Sequence, residues 1–188
     1  MTHRYLAIAW FLMLLVWVLA SLGSKETAAR QDARQRILHL AVLGISFYLL
    51  FNQSFAADWL DRSVLPTSML FKNVVGWFLV VLGFGFAIWA RLVLGRNWSA
   101  EVTIKADHTL LISGPYGIVR HPIYTGILTA MLGTAVVLDQ VHCYLALPLA
   151  FIAWAAKSRV EEQFMQQQFG AEYTRYRARV KGLVPLIW

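Results

Sequence analysis

Five long stretches without Asp, Glu, Lys or Arg decide what this chain can fold into. They are Tyr5–Leu22, Ile37–Ala57, Asn73–Ala90, Ile123–Leu138 and Val141–Ala156. A helix that spans a bilayer needs about 20 apolar residues, within a range of about 17 to 25. The first three stretches meet that length, given a residue or two of flank. The last two are shorter, and together they cover 34 residues with Asp139-Gln140 in the middle. That is too long for one helix and suits a tight helical hairpin turning at Asp139-Gln140. Composition agrees: 59% of the 188 residues are hydrophobic, only 14% are charged and the mean hydropathy is +0.55. Soluble domains carry about 25% charged residues. The fold expected is therefore an all-α integral membrane protein with five transmembrane helices. The apolar core of the first run, 18 residues, exceeds the roughly 7 to 15 of a cleaved signal, so a retained helix is expected.

Charge sets the expected orientation. The segments after the first and third runs and the C-terminal tail hold 14 of the 17 basic residues; Arg4, Arg62 and Lys72 fall on the other side. Basic residues mark the cytoplasmic face. The N-terminus is then expected outside and the C-terminus in the cytoplasm. With five helices the charge asymmetry is sharp; four or six would scatter it. The net charge of +7 is accounted for by topology and anionic lipid. No zinc-finger spacing or aromatic-basic platform points to nucleic acid. The lone cysteine, Cys143, excludes an internal disulfide.

The third loop, about 30 residues from Arg91 to His121, and the 32-residue tail from Lys157 to Trp188 share that basic side. Loops this long are usually functional, and these two are expected to form a cytoplasmic cap. The organisation expected is three N-terminal helices in 1–90 and a ligand-binding module in 91–188. Within it, "GPYGIVRHPIYTG" (Gly114 to Gly126) places Pro122 at the first position of a helix and His121 at its N-cap, with Arg120 just before. Such a helix end attracts anions; the plainer alternative is a helix start at the lipid headgroups. Gly126, one turn in, permits close approach of a ligand or of another helix. In the tail, Lys157 shares a helix face with Glu161, and Glu162 follows. Gly170 breaks that helix, and a second one carries Tyr173 and Tyr176 on one stripe.

Three segments in combination carry a resemblance: "LGRNWS" (Leu94 to Ser99), "HTLLISGPYGIVRHPIYTG" (from His108) and "EEQFMQQQFGAEYTRYRARV" (from Glu161). Together they resemble the isoprenylcysteine carboxyl methyltransferase family, whose broader relatives are the phospholipid N-methyltransferases. The likeness covers about Arg91 to Pro185. It implies S-adenosylmethionine as cofactor, in a pocket on the cytoplasmic side, and a lipophilic or lipidated acceptor entering from the bilayer. The family's cofactor positions fall on His108, Thr109, Leu110, Leu111, Tyr116, His121, Pro122, Ile123, Tyr124 and Glu161, with Glu101 as a further polar position. Arg120 and Glu162 join them on the physical reading. No metal is implied. An Arg that holds the substrate carboxylate in the family is replaced here by Lys157, and Arg159 lies two residues on. A Lys cannot make the two-pronged contact of Arg. Substrate orientation is thus assigned to Arg159 and Lys157, with a phospholipid-type amine acceptor as the alternative. A prokaryotic inner membrane is the expected setting. An NADPH-dependent sterol-type reductase, which shares a similar C-terminal module, and a non-enzymatic membrane protein are the competing readings.

Overall fold

The computed structural model describes residues 2–21, 33–53, 55, 57–95 and 110–185. Among these residues the chain is all-helical: α1 (Thr2–Ser21), α2 (Ala33–Phe51), α3 (Met69–Leu94), α4 (Pro122–Leu138), α5 (Val141–Phe169) and α6 (Ala171–Arg179), with a 3-10 turn over Gly114–Gly117. Three stretches are long and apolar enough to cross a membrane: Thr2–Ala20, Met69–Leu94 and Val141–Arg179, the last comprising α5 and α6. The 17-residue α4 is a shorter apolar helix. The chain is an integral membrane protein.

Close packing of α3 on α4 rests on glycine. Gly76 and Gly83 stand seven residues apart on α3, as Gly126 and Gly133 do on α4. Seven residues are two turns, so each pair lies on one face. The helices run antiparallel, and Gly83 meets Gly126 while Gly76 meets Gly133. A Cβ added to Gly126 would fall 2.5 Å from the Gly83 carbonyl oxygen and 2.7 Å from the Ala87 nitrogen. Of the two uses the sequence left open for Gly126, the helix contact is the one realised. In lipid, where apolar surface gains little by burial, small residues let backbones approach and pack. Gly126→Ala is expected to cost about 2–3 kcal/mol, because rigid backbone rather than a movable side chain must yield. Thermal unfolding in detergent reads it, with Gly85→Ala, which meets nothing within 4 Å, as the neutral control.

The α4–α5 hairpin turns at Asp139-Gln140 as the sequence indicates. Asp139 adopts a left-handed conformation (φ 51°, ψ 48°), and its N–H closes α4 on the Ala135 carbonyl at 2.7 Å. Its buried carboxylate accepts from Lys72 Nζ and Ser63 Oγ, from the Leu65 N–H at 2.9 Å and from the Tyr144 hydroxyl at 3.2 Å. One side chain thus ties the start of α3, the segment before it and the hairpin.

α1 lies against α4: Trp10 Nε1 donates to Thr134 Oγ1 at 3.0 Å, and its ring meets Phe47 and Phe84 edge-on. Between α1, α2, α4 and α5 lies an apolar cavity of about 570 Å³, walled by Trp10, Met13, Trp17, Phe47, Ile127 and Trp154 among others.

Candidate active site

The start of α4 is held by the C-terminal segment rather than left open. Val119 and Lys181 form a parallel bridge. The Arg120 N–H donates to the Lys181 carbonyl at 2.7 Å, and the His121 N–H to Gly182 at 3.1 Å. The Thr125 hydroxyl donates to the Leu183 carbonyl at 2.7 Å. His121 is the N-cap and the fully buried Pro122 is the first helical residue. The first intrahelical bond is Thr125 N–H to the His121 carbonyl, 3.1 Å. The N–H groups of Ile123 and Tyr124 therefore have no acceptor within the helix.

Glu161 and Glu162 lie in α5 beyond the uncharged run that ends at Ala156, and they divide the cations between them. Glu162 Oε1 accepts from Arg120 Nε (3.0 Å) and Nη2 (2.7 Å), and its Oε2 lies 3.4 Å from Arg177 Nε. Arg120 also donates to the carbonyls of Val180 and Arg177. Glu161 Oε1 accepts the Tyr124 hydroxyl at 2.5 Å, and its side chain is the more open of the two, 23% exposed against 11%.

His121 bridges the pair. Its Nδ1 lies 3.3 Å from Glu161 Oε2 and its Nε2 3.2 Å from Glu162 Oε1. Ionised carboxylates only accept, so a carboxylate oxygen beside each ring nitrogen favours the doubly protonated ring. Burial alone would push the His121 pKa down, but the bonds to Glu161 and Glu162 outweigh it and hold it above 6.5. Burial likewise works against the Glu162 carboxylate, yet His121 and Arg120 bring its pKa down to about 2. Because His121 is raised, its contribution to stability is complete below 6.5 and is lost as pH rises through the folded-state value. Thermal unfolding followed upward from pH 6.5 is therefore expected to show a loss that His121→Asn flattens. For Glu162, with a lowered pKa, the loss comes only on acidification from 4.5 towards about 2.

Stacked rings lead from this cluster to the apolar cavity. The His121 ring lies over Tyr124 (centroids 5.7 Å, planes 8° apart), and Tyr124 over Trp154 (6.1 Å, 19°). Trp154 is a cavity wall. Lys157 Nζ stands 5.7 Å from the Tyr124 ring centroid, a cation–π distance.

Of the residues singled out in the sequence, Arg120, His121, Pro122, Tyr124, Lys157, Glu161 and Glu162 come together here. Tyr116, Ile123 and Leu111 pack beside them against Ala90, and Tyr116 accepts the Tyr176 hydroxyl on its carbonyl at 2.6 Å. Leu110 is half-buried at the edge. Arg120 turns inward to Glu162 instead of outward to a ligand. Arg159 stands apart: two residues past Lys157, it is turned about 200° around the helix and is exposed beside Phe151 and Ile152. His108, Thr109 and Glu101, like Arg96–Ser99 of the "LGRNWS" motif, lie outside the described residues. Sequence reading missed His39 of α2, whose Nδ1 meets the Ala153 carbonyl at 3.1 Å one turn before Lys157. A lone imidazole in an otherwise uncharged run was the available signal. It also missed the strap of Lys181 to Leu183.

Comparison with known proteins bears on this arrangement. The phospholipid methyltransferase family profile matches residues 71–172, just over half of the chain. Protein-S-isoprenylcysteine O-methyltransferase B of Arabidopsis thaliana is 32% identical over 114 residues, covering 58% of this chain and 57% of that protein. The Saccharomyces cerevisiae protein-S-isoprenylcysteine O-methyltransferase is 32% identical over 134 residues, covering 68% and 55%. The chain thus spans a little over half the length of these relatives. A solved structure of a eukaryotic intramembrane Ras methyltransferase, an isoprenylcysteine carboxyl methyltransferase, aligns with a TM-score of 0.53 at 23% identity, over 84% of this chain and 54% of that one. That likeness shows a shared fold.

Proposed function

Since the chain belongs to the phospholipid methyltransferase family, we propose that it is an integral membrane methyltransferase that uses S-adenosylmethionine to methylate the carboxylate of a lipophilic acceptor of isoprenylcysteine type. The observation that carries this reading is the Glu161–Tyr124–His121 cluster, set where the α4 N-terminus meets an apolar cavity. When bound, S-adenosylmethionine supplies an electrophilic methyl carbon on sulfur; the acceptor oxygen forms the new C–O bond as the C–S pair leaves on sulfur.

The residues fit such a cofactor. An α-carboxylate suits the Ile123 and Tyr124 N–H groups at the positive end of α4. Glu161, the more open carboxylate, matches an ammonium. Tyr116, Leu110 and Leu111 offer an apolar edge for adenine; His108 and Thr109 are assigned to the cofactor by the family resemblance alone. Arg120 and Glu162 are already satisfied by each other and hold His121 in place, as positioning residues. Lys157, 5.7 Å from the Tyr124 ring centroid, is the cation assigned to orient an acceptor carboxylate, and Arg159 lies on another face of α5. A carboxylate is already ionised, so no general base is needed. Rate enhancement would come from alignment and from the exclusion of water beside Trp154.

A second reading rests on His39. Its Nδ1 faces a carbonyl, so the neutral ring donates there and offers Nε2 as an acceptor. That lone pair could take the proton an amine acceptor must lose, as phospholipid-type N-methylation requires. Labelled-methyl transfer into a native lipid extract separates the readings. A base-labile product means an ester, and a base-stable one an amine.

The same reading takes all five uncharged runs as spans, with the N-terminus outside and the C-terminal tail in the cytoplasm. Helices within 1–90 wall the cavity, and 91–188 carries the cofactor side chains beneath a cytoplasmic cap. Cysteines placed at Arg4 and at Lys181 test the orientation by labelling with an impermeant maleimide in intact cells. Labelling at the first position alone is expected.

A further inference from the structure

The basic residues of α6 and of the strap after it fall into two sets. Arg177 turns towards the site, its Nε 3.4 Å from Glu162 Oε2. Arg175 and Arg179 are four positions apart and share a face, on the side of the helix turned away from Arg177. With Lys181 just beyond the helix they are exposed, and among the described residues their side chains take part in no hydrogen bond or ion pair. Glu172 is the one acid on α6. The path of the chain sets the height of this basic face. α5 runs on beyond its uncharged stretch to Phe169, Gly170 turns the chain with φ 48°, and α6 leads back. The Arg120 N–H then meets the Lys181 carbonyl at 2.7 Å, and the Thr125 hydroxyl meets that of Leu183 at 2.7 Å. Residues 181–183 are thus level with the first turn of α4, whose uncharged run begins at Ile123. Arg179 and Lys181 therefore stand where the apolar layer gives way to phospholipid headgroups. Arg175 is one turn away, about 6 Å at about 1.5 Å per residue, and still within a Debye length of about 8 Å.

The same segment holds the candidate site. Arg120 donates to the carbonyls of Arg177 and Val180, the His121 N–H to Gly182 at 3.1 Å, and the Tyr176 hydroxyl to the Tyr116 carbonyl at 2.6 Å. A helix of nine residues is marginal without such contacts, and like charges four residues apart work against it. We infer that Arg175, Arg179 and Lys181 form a docking face for anionic phospholipid headgroups of the surrounding bilayer, and that this docking steadies the segment that holds Arg120 and His121. Each basic residue at an anionic surface gains the equivalent of about fivefold in binding. The negative headgroups also relieve the repulsion between Arg175 and Arg179. Zwitterionic headgroups supply neither. The height of the face favours the bilayer over a soluble acidic partner. Bilayer charge is thereby coupled to the site through the backbone carbonyls of Val180, Lys181 and Gly182. The inference goes beyond the methyltransferase reading and holds whatever the site binds.

The test needs no cofactor. Purified protein is reconstituted in nanodiscs of phosphatidylcholine, or of an equal mixture of phosphatidylcholine and phosphatidylglycerol. Amide hydrogen exchange is followed on α6 and at Arg120 and His121, whose N–H groups bond to the strap. At low salt, exchange is expected to be at least about fivefold slower at both places in the anionic discs. High salt should remove the difference. The Arg175→Gln/Arg179→Gln double variant, which breaks no bond of the site, should remove most of it. Equal exchange in the two lipids, or a difference that survives in the double variant, would overturn the inference. Slowing on α6 without slowing at Arg120 and His121 would overturn the coupling. The same slowing produced by inorganic phosphate in phosphatidylcholine discs would mark a site for a soluble anion and overturn the bilayer as partner. Titration with S-adenosylmethionine in the phosphatidylcholine discs judges the methyltransferase reading separately.

Discussion

Replacing Glu161 by Gln is expected to weaken S-adenosylmethionine binding by about tenfold to hundredfold, the loss of about 1.5–3 kcal/mol that accompanies removal of one charged hydrogen-bond partner. The substitution keeps the shape of the side chain. It also keeps an acceptor for the Tyr124 hydroxyl, now 2.5 Å from Oε1. What it removes is the negative charge of the more exposed of the two carboxylates. Isothermal titration in detergent gives the affinity, and thermal unfolding of the same preparations shows whether the fold persists. A Glu172→Gln variant on the exposed face of α6 serves as control. Equal affinity in wild type and Glu161→Gln would remove Glu161 from the cofactor site. The neighbouring Glu162→Gln should behave differently. It strands Arg120, which is only 11% exposed, and so is expected to lower the unfolding temperature as well as the affinity.

The largest effect on stability is expected at the opposite end of the bundle. Lys72→Met leaves the Asp139 carboxylate buried without its cation, and breaking a buried ion pair from one side costs about 3–5 kcal/mol. The two side chains are only 9% and 5% exposed, so water cannot take the lost partner's place. Adding Asp139→Asn to Lys72→Met removes the stranded charge while keeping a residue type that tolerates the left-handed backbone. The double variant should recover much of the loss. If it unfolds no later than Lys72→Met alone, the ion pair does not hold the hairpin to α3.

The legible parts of this fold are those encoded locally. Pro122 after His121 marks the start of α4, and Asp139-Gln140 marks the turn, because in each case the signal and the structure lie within a few residues. Helix ends were less legible where charges continue a helix. α3 runs from Met69 to Leu94 instead of stopping at Asn73 and Ala90, because Lys72 is neutralised by Asp139 and Arg91 donates to the carbonyls of Gly95 and Ala20. α2 begins at Ala33, with Arg34 and Arg36 in its first turn, and ends at Phe51 before Asn52-Gln53. The site divides in the same way. His121, Tyr124, Lys157 and Glu161 could be singled out by motif and spacing. That Arg120 faces Glu162, 42 residues away, and that Arg159 points elsewhere, depends on how α5 is rotated against α4. The cavity draws on four helices, and no window of sequence contains it.

The central claim is methyl transfer to a lipophilic carboxylate. Its most direct test is incubation of the purified protein with methyl-labelled S-adenosylmethionine and N-acetyl-S-farnesylcysteine, followed by mild base. The account predicts label in the lipophilic product, released by base as methanol and nearly abolished in Glu161→Gln. Absence of any transfer, or transfer that Glu161→Gln leaves unchanged, would contradict it.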